Sequence, residues 1–324
     1  MTTINTVTGP IEVDRLGFTL MHEHIAVSSW AMRQSYPGWF DRATVVRQAV
    51  DALRAARACG VGALVDVTTA NIGRDVDLLC EVSERSEMPI VAATGLYWTE
   101  EPWLDGWDID RLVDWLVRDI THGMQGVATG TSGRARAGII KCGTDRLGLT
   151  PLNRKLLQVA ARLHRLTGVP ITTANTNVAY RTGLLQQEVL AEEGVDLTRV
   201  VIGHCGDTSD VEYLEAILRR GSFIGMDRFW HPQIHPTAAR VAIVAELCRR
   251  GWAERMVLGH DGDLYSDWSA EALDQHRQGA RPWPFCKVAT EILPLFREAG
   301  VSEEQIRLLT VANPRRRFER RGSD

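Results

Sequence analysis

Short apolar runs rich in Val, Ile and Ala recur along the chain at residues 19–24, 63–68, 90–94, 138–142, 170–175, 200–204, 223–226 and 256–261. Between them, apolar residues repeat at helical spacing, as in 43–58, 109–123, 151–167, 182–193, 210–220 and 237–250. Unbroken apolar runs of this length suit strands buried on both faces, and the 3.6-residue repeat suits helices packed on one side. Thr150-Pro151 marks a helix start, with a hydroxyl to cap the first N–H groups and a proline where no hydrogen bond is lost. Eight strand–helix alternations with no Pro/Gly/Ser-rich linker predict an α/β fold, a single (β/α)₈ TIM barrel spanning residues 1–324 as one domain. An open doubly wound sheet is the alternative, but no GxGxxG follows the first run, where a dinucleotide site would need one.

In a barrel, chemistry sits at the C-terminal ends of the strands, and the polar residues of this chain gather there. The first run ends in His22-Glu23-His24, the fourth in Lys141, the fifth in Asn175, the sixth in His204 and the eighth in Asp261. On a strand, positions i and i+2 share a face, so His22 and His24 form half of a divalent metal site. Glu23 between them points away and reads as structural. A lysine or aspartate closing an apolar run is costly without a partner. Several such ends together point to a shared metal centre rather than to isolated core polarity.

Composition narrows the class. A chain of 324 residues, 44 % hydrophobic and 24 % charged with formal net charge −4, can bury a sizeable core and is not basic enough for nucleic acid as a main partner. The basic run from Arg315-Arg316-Arg317 to Arg320-Arg321 reads as a solvated tail or helix cap. No apolar stretch is long enough to span a bilayer, and no basic-then-apolar leader opens the chain. The six cysteines, Cys59, Cys80, Cys142, Cys205, Cys248 and Cys286, lack CxxC spacing and read as free thiols. A cytoplasmic location without membrane contact is the expectation.

The chain resembles the phosphotriesterase-related family of the amidohydrolase superfamily, and within it the phosphotriesterase-like lactonases. The resemblance rests on Gly9-Pro-Ile, Leu20-Met-His-Glu-His, Gly95-Leu-Tyr97, Gly138-Ile-Ile-Lys141, Val201-Ile-Gly-His204, Gly206-Asp-Thr, Gly225-Met-Asp227-Arg228 and Asn313-Pro-Arg. It implies a metal-dependent hydrolase that opens lactones, N-acyl homoserine lactones above all, with promiscuous activity on phosphotriesters. By the same resemblance His22, His24 and Asp261 bind the more buried of two divalent ions, zinc or else cobalt, manganese or iron. Lys141, carboxylated to a carbamate, bridges both ions; His204 and a histidine on the fifth strand hold the second. Asp261 and Lys141 are the catalytic pair, Asp261 taking the proton of the attacking water.

The fifth strand departs from the family. Pro170-Ile-Thr-Thr-Ala174-Asn175 has no histidine. Counting back from Thr182 places Asn175 at the ligand position; counting forward from Pro170 places Ala174 there and implies a bulge. An amide oxygen is a weak donor for zinc-like ions, so the second ion is expected to be weak, exchanged for another, or absent. Hydrolysis of another ester, phosphoester or amide at an altered or mononuclear site, or a degenerate barrel, is the alternative. Tyr97 and Arg228 resemble the lactonases' substrate-binding pair. The segment 262–284, with Tyr265, Trp268, Pro282 and Trp283, reads as a long loop covering a hydrophobic lactone or ester. Loop tryptophans such as Trp39 and Trp103 are candidates for a homodimer interface.

Overall fold

The computed structural model describes residues 2–99, 101–126, 135–144, 147–175, 180–278 and 284–319. Each apolar run becomes a strand. In chain order the strands are β1 Thr3–Thr6, β2 Gly9–Glu12, β3 Phe18–Val27, β4 Val61–Asp66, β5 Ile90–Gly95, β6 Ile139–Thr144, β7 Ile171–Asn175, β8 Val200–Ile202, β9 Phe223–Met226, β10 Met256–Leu258 and β11 Asp263–Ser266. Strands β3 to β10 pair in parallel, each with the next, and helices run between them. Asp261 N donates to His22 O at 3.0 Å and His24 N donates to Gly262 O at 2.9 Å. These two bonds close β10 onto β3, and the result is a (β/α)₈ barrel.

Side chains alternate between two cores, as the pleat requires. Met21, Val65, Val91, Ile139, Val201 and Val257 fill the lower barrel; Leu20, Leu64, Ile90, Ile140 and Ile202 face outward into the helix layer. Helix starts are capped where the chain supplies a short oxygen side chain. Asp41, Asp75, Asp108, Thr150 and Asp210 each accept an N–H of the following turn.

Two expectations are corrected, a third is met in part, and one hairpin was not foreseen. The antiparallel β1–β2 hairpin, too short and polar to show as a strand pattern, packs at the N-terminal end of the barrel, with Val7 N donating to Ile90 O at 3.0 Å. The sixth and eighth runs end early, at Ile202 and Leu258, so His204 and Asp261 lie just beyond strands. The segment after Asp261 is not one long loop. It holds β11, paired in parallel with the upper half of β3 (Asp263↔His24, Tyr265↔Ala26), and the helix Ala270–Arg277; Pro282 and Trp283 lie outside the described residues. The arginine run caps a helix, one of its two expected roles, with Arg315 and Arg316 exposed in the last turn and Arg317 buried instead of solvated. Arg315–Arg317 are in the helix Asn313–Phe318, Arg315 pairs with Asp14 at 2.7 Å, and buried Arg317 lies 4.1 Å over the Phe223 ring; residues 320–324 lie outside the described ones. Among the described residues no helix is long and apolar enough to cross a membrane.

Candidate metal centre

The two histidines of β3 reach the barrel interior through an irregularity. Leu20 pairs with Leu64 and Glu23 with Asp66, so β3 spends three residues where β4 spends two. This bulge changes the parity of the strand. Met21 faces the lower core below it, and above it His22 and His24 face inward while Glu23 faces out. Without the extra residue, the histidines would face the helices.

The donors then converge on one carboxylate. His22 Nε2 and His24 Nε2 each lie 3.4 Å from Asp261 Oδ1, and His204 Nε2 lies 3.8 Å from Asp261 Oδ2. Lys141, one step above Ile139 on the inner face of β6, places Nζ 3.0 Å from His22 Nε2. Ligand atoms of His22, His204 and Asp261 all fall within 4.8 Å of one another. His204, Arg228 and Asp261, at the mouths of β8, β9 and β10, adopt left-handed backbone with φ of 60°, 64° and 52°. Side-chain-bearing residues hold that conformation only where surrounding bonds compel it, and such strain gathers at functional sites.

Those bonds come from residues that the strand-end reading did not assign. Asp227 accepts His204 N (3.0 Å) and His204 Nδ1 (2.9 Å) on Oδ1, and His22 Nδ1 (3.2 Å) on Oδ2. His24 Nδ1 meets Thr68 Oγ1 at 2.8 Å. With their Nδ1–H groups held by the Asp227 carboxylate, His22 and His204 present Nε2 lone pairs to the centre, and the Thr68 hydroxyl holds the His24 ring in place. A signal for Asp227 was present: a carboxylate directly after the apolar strand Phe223–Met226 needs partners.

Electrostatics agree with metal-ligating chemistry. Burial, aided by Lys141, lowers the pKa of His22 to about 3, so its imidazole is neutral. Burial likewise lowers Lys141, against the pull of Asp261 and Asp227, to about 8. Burial acts to raise Asp227 and Asp261, but His204 and His22 more than offset it and hold both well below the usual carboxylate range. A neutral His22 imidazole and an ionised carboxylate, oriented from behind, fit a divalent cation.

A cavity of about 190 Å³ opens above the donors, lined by Tyr97, Arg228, Asp261 and Trp268 together with Val27, Ile72 and Ile234. The Tyr97 ring is 5.5 Å from Lys141 Nζ and 6.0 Å from the half-exposed Trp268 ring. Burial, opposed by Arg228, raises the Tyr97 hydroxyl above its ordinary range. Arg228 is more committed than a free substrate donor. Its Nε donates to Asp261 Oδ2 at 3.0 Å and its Nη1 to Asp207 Oδ2 at 2.6 Å. Trp39 is tied within the rim, its Nε1 donating to Asp267 Oδ2 at 2.7 Å, whereas Trp103 is 46 % exposed.

On the fifth barrel strand the register runs unbroken from Ile140↔Ile171 to Thr144↔Asn175, so the expected bulge is absent from β7. Ala174, opposite Gly143, is fully buried and packs with Tyr97 on the cavity side. Position 174, reached by the forward count, thus offers no donor atom to the site. The side chain of Asn175 lies outside the described residues.

Residues 2–318 match the phosphotriesterase family. The chain is 43 % identical over 335 residues to a phosphotriesterase homology protein of Mycobacterium tuberculosis strain H37Rv, with 99 % of both chains covered. It is 33 % identical over 310 residues to an aryldialkylphosphatase of Saccharolobus solfataricus, covering 95 % of this chain and 96 % of that one. The solved structure of the phosphotriesterase from Mycobacterium tuberculosis superposes with a TM-score of 0.89 at 41 % identity, over 98 % of each chain.

Proposed function

The chain belongs to the phosphotriesterase family of metal-dependent hydrolases, and from that premise we propose that it opens hydrophobic lactones, N-acyl homoserine lactones among them, with phosphotriester hydrolysis as a side activity. One observation carries the reading. Three imidazole Nε2 atoms, Lys141 and Asp261 converge at the floor of a cavity walled by Val27, Ile72, Tyr97, Ile234 and Trp268.

His22, His24 and Asp261 would hold one divalent ion, and His204 the other, with Lys141 between them. Zinc suits the imidazole set; cobalt, manganese and iron are compatible with it. Lowered to about 8, the Lys141 amine has a larger neutral share than an exposed lysine. The neutral Nζ could form an N–C bond with carbon dioxide and release one proton to water, leaving a carbamate anion that would help to hold the ions where an ammonium would repel them. A bound divalent pair supplies a lowered water pKa and polarises a carbonyl or phosphoryl oxygen.

Asp261, held ionised and oriented by Arg228 Nε at 3.0 Å, is placed to take the proton of the attacking water and pass it to the leaving oxygen. Arg228 orients rather than accepts. Against the lowering effect of burial, Asp261 and Asp207 push its pKa above the ordinary value. Tyr97 keeps its hydroxyl proton and can donate it to oxygen charge developing in the transition state. The apolar wall excludes water and receives an acyl chain or aryl group.

The test is metal content by elemental analysis on protein grown with zinc, cobalt or manganese, with homoserine lactones and a dialkyl aryl phosphate assayed on the same samples. Higher kcat/KM on lactones supports the reading. Preference for the triester favours the second reading, a phosphotriesterase proper, to which the likeness to an aryldialkylphosphatase points. No retained metal and no hydrolysis overturns both.

A further inference from the structure

The break in the eighth barrel strand, where Asp261 lies, is held by a buried pair with no place among the proposed ligands. Glu23 and His260 are both fully buried. Glu23 Oε1 accepts His260 N at 2.7 Å and His260 Nδ1 at 2.8 Å; Oε2 accepts Gly262 N at 3.2 Å. On its far side His260 Nε2 accepts Val288 N at 2.8 Å, at the start of the π-helical turn Val288–Ile292. His260 is thereby fixed as the Nδ1–H tautomer.

The geometry has a consequence for the residue in the middle. Residues 260 and 262 flank Asp261, and Glu23 holds the backbone N–H of both. Glu23 itself stands between His22 and His24. Between Leu258, where β10 stops, and Asp263, where β11 begins, this one carboxylate reinforces the two backbone bonds to β3, Asp261 N to His22 O and His24 N to Gly262 O. Gly259 permits the approach, since a Cβ there would lie 2.9 Å from His22 O and 3.0 Å from His22 Cβ. The left-handed turn at Asp261, φ 52°, is thus clamped on both sides from the strand that carries the two histidines.

We propose that Glu23 and His260 are positioning residues, a strut that sets the distance and angle between the Asp261 carboxylate and His22 and His24. The inference rests on the reading of those three as metal ligands. Neither residue touches substrate. Their action is on the shape of the coordination site, and through it on kcat rather than on substrate affinity.

The experiment uses Glu23→Gln on the full chain. A glutamine keeps the volume but turns an NH₂ group toward the N–H of Gly262 or His260. Cobalt-loaded protein should show an altered visible spectrum, metal affinity should fall by about 10- to 100-fold, and kcat should drop with KM nearly constant. His260→Asn, which retains an N–H toward Glu23 and loses the bond to Val288, should give the same change in weaker form, and it carries the test if Glu23→Gln does not fold by circular dichroism. A folded variant with parental cobalt spectrum, metal affinity and kcat within about twofold overturns the proposal. Asp261→Asn separates the two levels. If it keeps metal and activity, the ligand reading itself fails; if it loses metal while the Glu23 and His260 variants do not, only the strut fails.

Discussion

Replacing Asp227 by asparagine should weaken metal binding while leaving the barrel folded, and the size of the effect follows from its hydrogen bonds. Oδ1 takes both N–H groups of His204, at 3.0 and 2.9 Å, and Oδ2 takes His22 Nδ1–H at 3.2 Å. An amide retains one acceptor oxygen. Turned to His204, it keeps both bonds there but points NH₂ at the Nδ1–H of His22. Two donors then oppose each other, and His22 escapes only by moving its proton to Nε2, the atom 3.4 Å from Asp261 Oδ1 that a metal would need. A buried hydrogen bond to a charged group is worth about 1.5–3 kcal/mol, so zinc affinity should fall roughly 10- to 150-fold. The assay is titration of zinc into the metal-free protein against a chromophoric chelator, with circular dichroism and thermal melting as controls. A Kd within about twofold of the parent, at unchanged melting temperature, would refute the claim that Asp227 fixes the histidine tautomers.

Three further outcomes are expected. Ala174→His should raise occupancy of a second ion, read as metal equivalents per chain, because position 174 lies on the cavity side beside Tyr97; an unchanged count would show that this is not the missing ligand position. Gly95→Ala should destabilise the fold by about 2 kcal/mol or more in denaturant melts. Gly95 has φ 103°, and a Cβ there would lie 2.2 Å from the Lys141 carbonyl oxygen; a parental midpoint would contradict that contact. The metal-free protein should lose stability on acidification. The folded-state pKa of His22 is lowered to about 3, so between about pH 6.5 and that value the unfolded chain binds a proton that the folded site refuses. Stability then falls by up to about 1.4 kcal/mol per pH unit. Asp227 and Asp261, also lowered, add stability that is present above about pH 4 and lost below it. A flat profile from pH 7 to 5 would refute the buried neutral His22.

The alternation of apolar runs and helical repeats was enough to determine the barrel, because each run is buried on both faces and each helix on one, and that pattern has few closed solutions. It also singled out the residues proposed to carry the chemistry. His22, His24, Lys141, His204 and Asp261 are polar ends of apolar strands, and the folded chain gathers them around one carboxylate. Tertiary structure decided the rest. The bulge between Leu20 and Glu23 is a property of pairing with β4, and it alone turns the histidines inward. Arg228 was expected at the site only through the family resemblance. That its guanidinium bridges Asp261 and Asp207 depends on loops distant in the chain. Counting alone could not place Ala174, since a one-residue shift exchanges the faces of a strand; the unbroken β6–β7 register brings it to the cavity side. Asp227, Glu23 and His260 act through bonds between segments up to 239 residues apart. A linear pattern records burial and spacing, whereas the partners that orient a ligand are set only when separate strands come together.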